Sequence, residues 1–406
     1  MYVINAKHWS KTEPSKEDTH VCLEEVEVDG NKYINVVGFS KDARMSIMDK
    51  IDLLKSNPEI SMAIATLIMS LAQIFASMFQ PIFGFFADNM LKRAFIFWGL
   101  LFGSIFVPLG TNAPNAVILT ICVILGNLGG SFFHPQAFGF IPRFAKTNIA
   151  FYMGLFISFG TIGYSIGPLL AAAVTQHLGL DKIPYLSIIG VILALMMFKF
   201  VPKISNIGIK IEHKNFSESF KNILSSKYML IIILISMMKT LIANSATILL
   251  PFLWKNMGHT PIYIGTALFL FLLAGGIASL LSSKIERKLG AKNVFYFSMI
   301  ITCPLMIGFL STYKTYPQAS LIFFVLMGFA TMLAQPIMIV MAQRLLPDYK
   351  SIVSGFINGF SWGVVAVFLT IIGYSAEKYG IGNVLMIVSF IPVVFSYFVK
   401  FLPKHV

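Results

Sequence analysis

Residues 126–137 read G-N-L-G-G-S-F-F-H-P-Q-A; a basic turn follows at Arg143 and Lys146, and a glycine-studded apolar run then extends through Gly167 and Pro168 to Ala172. In water, glycine and proline weaken the interior of a helix. In a bilayer the same residues read differently. Small residues let two helices approach closely, and proline is tolerated because neighbouring groups satisfy the freed backbone. An ionisable side chain at that depth turns toward a cavity. The stretch therefore predicts two packed membrane helices with His134 beside a polar space.

Composition agrees. Of 406 residues, 56% are hydrophobic and 12% charged, with mean hydropathy +0.77, which excludes an ordinary soluble domain. Cys22, Cys122 and Cys303 are scattered, in a pattern that is neither a disulfide framework nor a metal site. The net charge of +13 is unevenly placed, because residues 1–59 carry 8 Lys/Arg against 11 Asp/Glu and the remainder 23 against 7. The later positive charges cluster between apolar runs, so they speak of membrane topology and not of nucleic acid. No secretory signal precedes the first apolar run.

Eleven apolar segments have spanning length: 60–87, 94–111, 115–141, 149–177, 184–201, 228–254, 261–283, 292–311, 317–345, 351–376 and 381–402. Alternate loops sort seventeen basic residues, among them Lys92, Arg93, Arg143 and Arg344, onto one side and four onto the other. The positive-inside rule makes the first side cytoplasmic. The polar stretch 202–227 reads as a cytoplasmic linker between halves 60–201 and 228–406, preceded by a polar segment, 1–59. The halves repeat. His134-Pro135 in the third span is matched by Gln335-Pro336 in the ninth, and Gly154, Gly163 and Gly167 by Gly355, Gly359 and Gly363. Parallel repeats of this kind place a substrate cavity between the halves.

On these residues the chain resembles the major facilitator superfamily over about 340 positions, and within it the fosmidomycin resistance protein family of efflux carriers. The loop Gly84-F-F-A-Asp88-N-M-L-Lys92-Arg93 is similar to the superfamily signature G-x-x-x-D-R-x-G-R-R, with Asn89 and Leu91 in place of Arg and Gly. A second, degenerate copy runs from Arg287 through Gly290 to Lys292 without an aspartate. Gly154, Gly163, Gly167 and Pro168 match the exporter motif of family helix 5, apart from Ala171 and Ala172 at its end. Phe133-His134-Pro135, Leu250-Pro251-Phe252 and the run from Arg344 to Pro347 point to the fosmidomycin-type family. The resemblance implies an all-α polytopic bundle of two pseudo-repeated halves. Family helix 1 has no counterpart in residues 1–59, whose most apolar patch, 33–39, is seven residues long. That segment is read as a divergent or damaged start.

His134 and Lys239 are the substrate-contact candidates, with Gln335 on the same pathway. No carboxylate lies within the spans assigned above, so Lys239 needs a water-filled cavity or an anionic substrate, unless it snorkels along its helix. Any proton carrier falls to His134 or to the absent helix. The resemblance makes Gly84, Asp88, Lys92, Arg93 and Arg143 a conformational latch, Asp88 pairing with Arg143 and with a helix start near Ser351. The glycines of the fourth span, with Pro168, are expected to pack helices closely. No phosphate-binding loop or paired metal ligands appear, which argues against an enzyme, a primary pump or a bound cofactor. The expected protein is a monomeric, multi-pass secondary transporter, an antiporter-type efflux carrier of the bacterial inner membrane, partnered by the lipid bilayer and a small anionic or amphipathic substrate. Uptake of an organic anion, and a non-transporting remnant, are the alternatives.

Overall fold

In hydrocarbon every backbone polar group must be satisfied within the segment that carries it, so long apolar runs close as helices. The computed structural model describes residues 22–28, 31–38, 73–90, 94–145, 147–201 and 215–403. In the first half, residues 73–78 form a helical turn that leads, past a break at Phe79, into α1 (Gln80–Met90). Then come α2 (Ala94–Gly110), α3 (Ala116–Phe144), α4 (Ile149–Leu178) and α5 (Leu186–Phe200). A short α6 (Phe216–Ser225) lies in the linker.

The second half holds α7 (Lys227–Asn256), α8 (Pro261–Leu289), α9 (Ala291–Ile300), α10 (Thr302–Thr312), α11 (Pro317–Leu333) and α12 (Gln335–Leu345). It continues through α13 (Lys350–Ser354), a π-helical turn (Gly355–Phe360), α14 (Ser361–Tyr379) and α15 (Ile381–Phe395). Among the described residues nine segments are long and apolar enough to cross a membrane, and α2 is a shorter tenth. The first span is only partly described, and the missing family helix falls on residues outside the described ones.

Local chemistry sets the boundaries. Asn115 caps α3 by accepting from the Ile118 amide at 2.9 Å, and Thr260 caps α8 ahead of Pro261 at its first turn. Gly290 and Gly380 take positive φ values of 78° and 89° where α8 and α14 stop. Pro336 has no amide hydrogen to donate, and the helix is interrupted beside it, between α11 and α12.

The expected all-α membrane bundle is what the described residues of the unit 60–406 form. The separate unit Met1–Glu59 contains an antiparallel hairpin of β1 (Cys22–Val28) and β2 (Asn31–Gly38). Its strands are rich in Val, Ile and Tyr, with Asp29 and Gly30 between them in sequence, a strong short-range hairpin signal. One expectation is corrected: α8 runs on to Leu289, so its last turn includes Glu286 and a carboxylate does lie within a membrane helix.

The halves meet along two seams. In one, α1 lies against α13 and the π-turn; a Cβ on Gly84 would stand 2.6 Å from the Ser351 carbonyl oxygen, and one on Gly355 2.6 Å from that of Gln80. Contact continues to Gly363, beside Met78 and Ser77. In the other, Gly154 of α4 abuts Ser279 and Ser282 of α8, and Gly276 faces Ser158 and Ile162. Beyond that point α4 carries Gly163 and Gly167, and a Cβ on either would meet no described residue within 4 Å. The close approach expected of all three glycines is therefore confined to Gly154 in this conformation. Overpacking a filled site costs about 1–3 kcal/mol. Gly154→Leu should lower the apparent melting temperature of the detergent-solubilised protein by several degrees, whereas Gly163→Leu should leave it unchanged.

Candidate functional site

Asp88, one turn after Gly84 on α1, is held from both halves. Its Oδ1 accepts from Arg143 Nη2 at 2.8 Å, and the Ser351 amide donates to both carboxylate oxygens at 3.1 and 3.0 Å. The Ile352 amide donates to Oδ2 at 3.1 Å. The side chains of Arg143 and Asp88 are 9% and 3% exposed. These two amides belong to the first turn of α13, whose unpaired N–H groups and dipole favour an anion. Arg143 also donates to the Gly139 carbonyl at 2.9 Å, which fixes it along α3.

Gln343, on α12, completes the seal by donating to the Phe138 carbonyl at 3.0 Å and to Ser354 Oγ at 2.8 Å. Sequence reasoning passed over it, although Gln343-Arg344 leaves the ninth span as Pro142-Arg143 leaves the third. A cavity of about 290 Å³ lies at this end, lined by Pro142 and Ile149 from one half and Gln343, Arg344 and Lys350 from the other. Glu286 lies within electrostatic reach of Arg344, so the degenerate second motif does own a carboxylate. The signal was present, because Ser282 precedes Glu286 by the spacing that separates Gly84 from Asp88. Lys92, Arg93 and Lys146 lie outside the described residues.

Counting along each helix at its normal rise, Gln80, His134 and Gln335 sit ~12–14 Å from the basic end marked by Asp88, Arg143 and Arg344, and Lys239 ~18 Å from Lys227. The residues beside the three substrate-contact candidates share one apolar cluster: Phe138 is in its core with Ala334, and Met238 packs against it. His134 lies between Phe133 and Phe138, at centroid distances of 5.4 and 5.8 Å, and its buried Nδ1 has no hydrogen-bond partner among the described residues. Both amide atoms of Gln335 are likewise buried and unpartnered. Lys239 is 2% exposed, so it does not snorkel, and no described residue pairs with it.

Buried polar atoms without partners are rare and cost about 1–3 kcal/mol each. Other such atoms are spread through the bundle, on Ser187, Ser245, Tyr263, Gln343 and Ser351, but Gln335 carries two of them and directly follows the helix break at Ala334. Other polar groups nearby are structurally used. Gln136, next after His134-Pro135, accepts from the Ile96 amide at 2.8 Å and anchors the start of α2, and Ser236 Oγ donates to the Ile357 carbonyl. Gln80 Oε1 accepts from Asn358 across the seam at 3.3 Å.

A family model described as the Major Facilitator Superfamily matches residues 47–370. The chain belongs to that superfamily. It is a multi-pass membrane protein of a family of transporters that bind small molecules within the membrane. The chain is 23% identical over 334 residues to the fosmidomycin resistance protein of Escherichia coli (strain K12), with 79% of each chain covered. It is also 23% identical to the MFS-type transporter YfnC of Bacillus subtilis (strain 168), covering 78% and 79%. Its fold is similar to that of the human organic anion transporter MFSD10 (TETRAN), with TM-score 0.70, 13% identity and 82% and 83% coverage.

Breaking a buried ion pair by removing one member costs about 3–5 kcal/mol. Asp88→Ala should therefore loosen the basic end. A cysteine placed at the fully buried Ala342 should react with a maleimide at least about tenfold faster in Asp88→Ala than in the parent protein in detergent. An unchanged rate would detach Asp88 from this closure.

Proposed function

We propose that this superfamily member is a secondary transporter that works by alternating access and exports a small anionic or amphipathic compound, with its basic end facing the cytoplasm. The observation that carries the proposal is Lys239, a cation buried in the bundle without a counter-charge among the described residues. An unpaired ammonium in apolar surroundings is very costly, and an anionic ligand is the partner that removes the cost. Gln335 and His134 lend hydrogen bonds from opposite halves to the same ligand. Asp88, with Arg143 and the start of α13, acts as the latch that holds the cytoplasmic end closed while the ligand leaves outward. Gly84 lets the latch helices touch. Gly154 sets the pivot of the second seam, with Gly163 and Gly167 free to close it in the opposite state.

The resistance function in the name of the E. coli relative supports outward transport, and the organic anions for which the human transporter is named support the charge. A ligand that meets the cation on one side of the membrane must leave it on the other, so the two states differ in what Lys239 faces. No step requires a bound cofactor.

Expression in a susceptible bacterium should raise tolerance to fosmidomycin or another toxic anion several-fold, and energised cells should retain less of it. Lys239→Ala should abolish the effect while the protein remains in the membrane at parental amounts. Equal tolerance and retention with and without the protein sinks the export reading, and increased accumulation replaces it with uptake. Full transport by Lys239→Ala removes the counter-ion role.

A further inference from the structure

The linker helix α6 is built into the second half at three points. Ser219 and Ile223 are fully buried, and Ser226, which ends α6, also caps the start of α7. Phe220 meets Phe356 of the π-turn edge-on at 5.4 Å, and Asn222 donates to the Tyr349 hydroxyl at 3.1 Å. With the middle and the C-terminal end of this ten-residue helix so tied, α6 moves with the second half.

One side chain breaks that pattern. Phe216, in the first turn of α6, packs on Phe220 at 4.5 Å and reaches across to Phe85 of the first half, ring edge to face at 5.0 Å. Phe85 follows Gly84 and lies three residues before Asp88, so this contact crosses the same seam as the carboxylate. Phe216 is 44% exposed, so its ring is not needed to fill a core. Aromatic pairs at such distances attract beyond the area they bury.

We infer that Phe216 is a bolt: a positioning residue on the linker that clasps Phe85 and holds the basic end of the two halves shut, alongside the Asp88 network. The inference rests on the alternating-access reading, because only a cycle that parts α1 from α13 gives the bolt something to do. Opening this end carries Phe85 away from the π-turn. Since α6 is tied to Phe356 and Tyr349, Phe216–Phe85 is the contact that must break. The linker therefore does more than join the halves. It biases the resting protein toward the conformation closed at this end, and whatever pulls on its N-terminal side weakens that bias.

The test reads conformation without substrate. Spin labels on Ala145→Cys and Pro347→Cys straddle the seam, and their distance distribution reports closed and open populations. Phe216→Ala should increase the long-distance population roughly threefold to tenfold, as expected for loss of one aromatic pair. Phe216→Trp should restore the parental distribution, and Asn222→Ala should release α6 in the same direction. These are exposed positions, so the variants should fold. Phe85→Leu, which keeps apolar volume but loses the ring, gives the same reading from the other side. If Phe216→Ala and Phe85→Leu both leave the distribution unchanged, the bolt is wrong. If the populations shift as expected but no anion is moved in either direction, the bolt stands and the transport reading fails.

Discussion

The basic end of this bundle depends on one buried carboxylate that neither half can satisfy alone. Asp88 is charged and almost wholly removed from solvent, so it requires donors around both oxygens. Arg143 comes from its own half, but the amides of Ser351 and Ile352 come from the other. When the halves part here, the bonds from those two amides are lost and the start of α13 is left with unpaired N–H groups. The closeness that permits the bonds is set by Gly84, whose missing side chain leaves room for the Ser351 carbonyl. Carboxylate, glycine and helix N-terminus therefore act as one unit, which explains why the spacing from Gly84 to Asp88 carries so much of the family's signature.

The two seams, although related by the repeat, are in different states. The one through α1 stays in contact from Asp88 past Gly359 to Gly363. The one between α4 and α8 is tight at Gly154 and Gly276, and then leaves Gly163 and Gly167 without a neighbour among the described residues. A glycine without a packed neighbour weakens its helix without a packing return. It makes sense if another conformation brings a neighbour against it. The same reasoning applies to the π-turn and to the break at Pro336, because irregular backbone inside a membrane protein is tolerated where it lines a cavity.

Most of the membrane fold was legible because hydrocarbon imposes one rule on every segment. Apolar length located the helices to within a few residues, apart from the end of α8, where Glu286 and the basic residues around it resemble a loop in sequence yet extend the helix. The Asp88 cluster was legible through its motif, down to Arg143 and the helix start near Ser351. What sequence could not give was cross-half contact. Gln343 and Phe216 look like ordinary polar and aromatic residues until the halves are assembled around them. The hairpin is not visible to a reading for membrane spans, because its two strands are seven and eight residues long. An isolated pair of strands is marginal by itself, so nothing in it announces a domain.

In the export reading proposed above, Lys239, Gln335 and His134 set a condition on the ligand. Lys239 and one side of Gln335 offer donors, while the Gln335 carbonyl oxygen is an acceptor without a donor among the described residues. A bare anion answers the first two and leaves the third buried and unpaired. An anion that also carries an O–H or N–H group answers all of them, and His134 Nδ1 can take either part, according to its tautomer. Discrimination then follows from the penalty for leaving a buried group unmet, which exceeds the net gain from one more hydrogen bond. A site built this way is demanding about polar pattern and tolerant about the apolar remainder, since Phe133, Phe138 and Met238 present only smooth surface. That combination supports the proposed amphipathic anion over a single neutral solute.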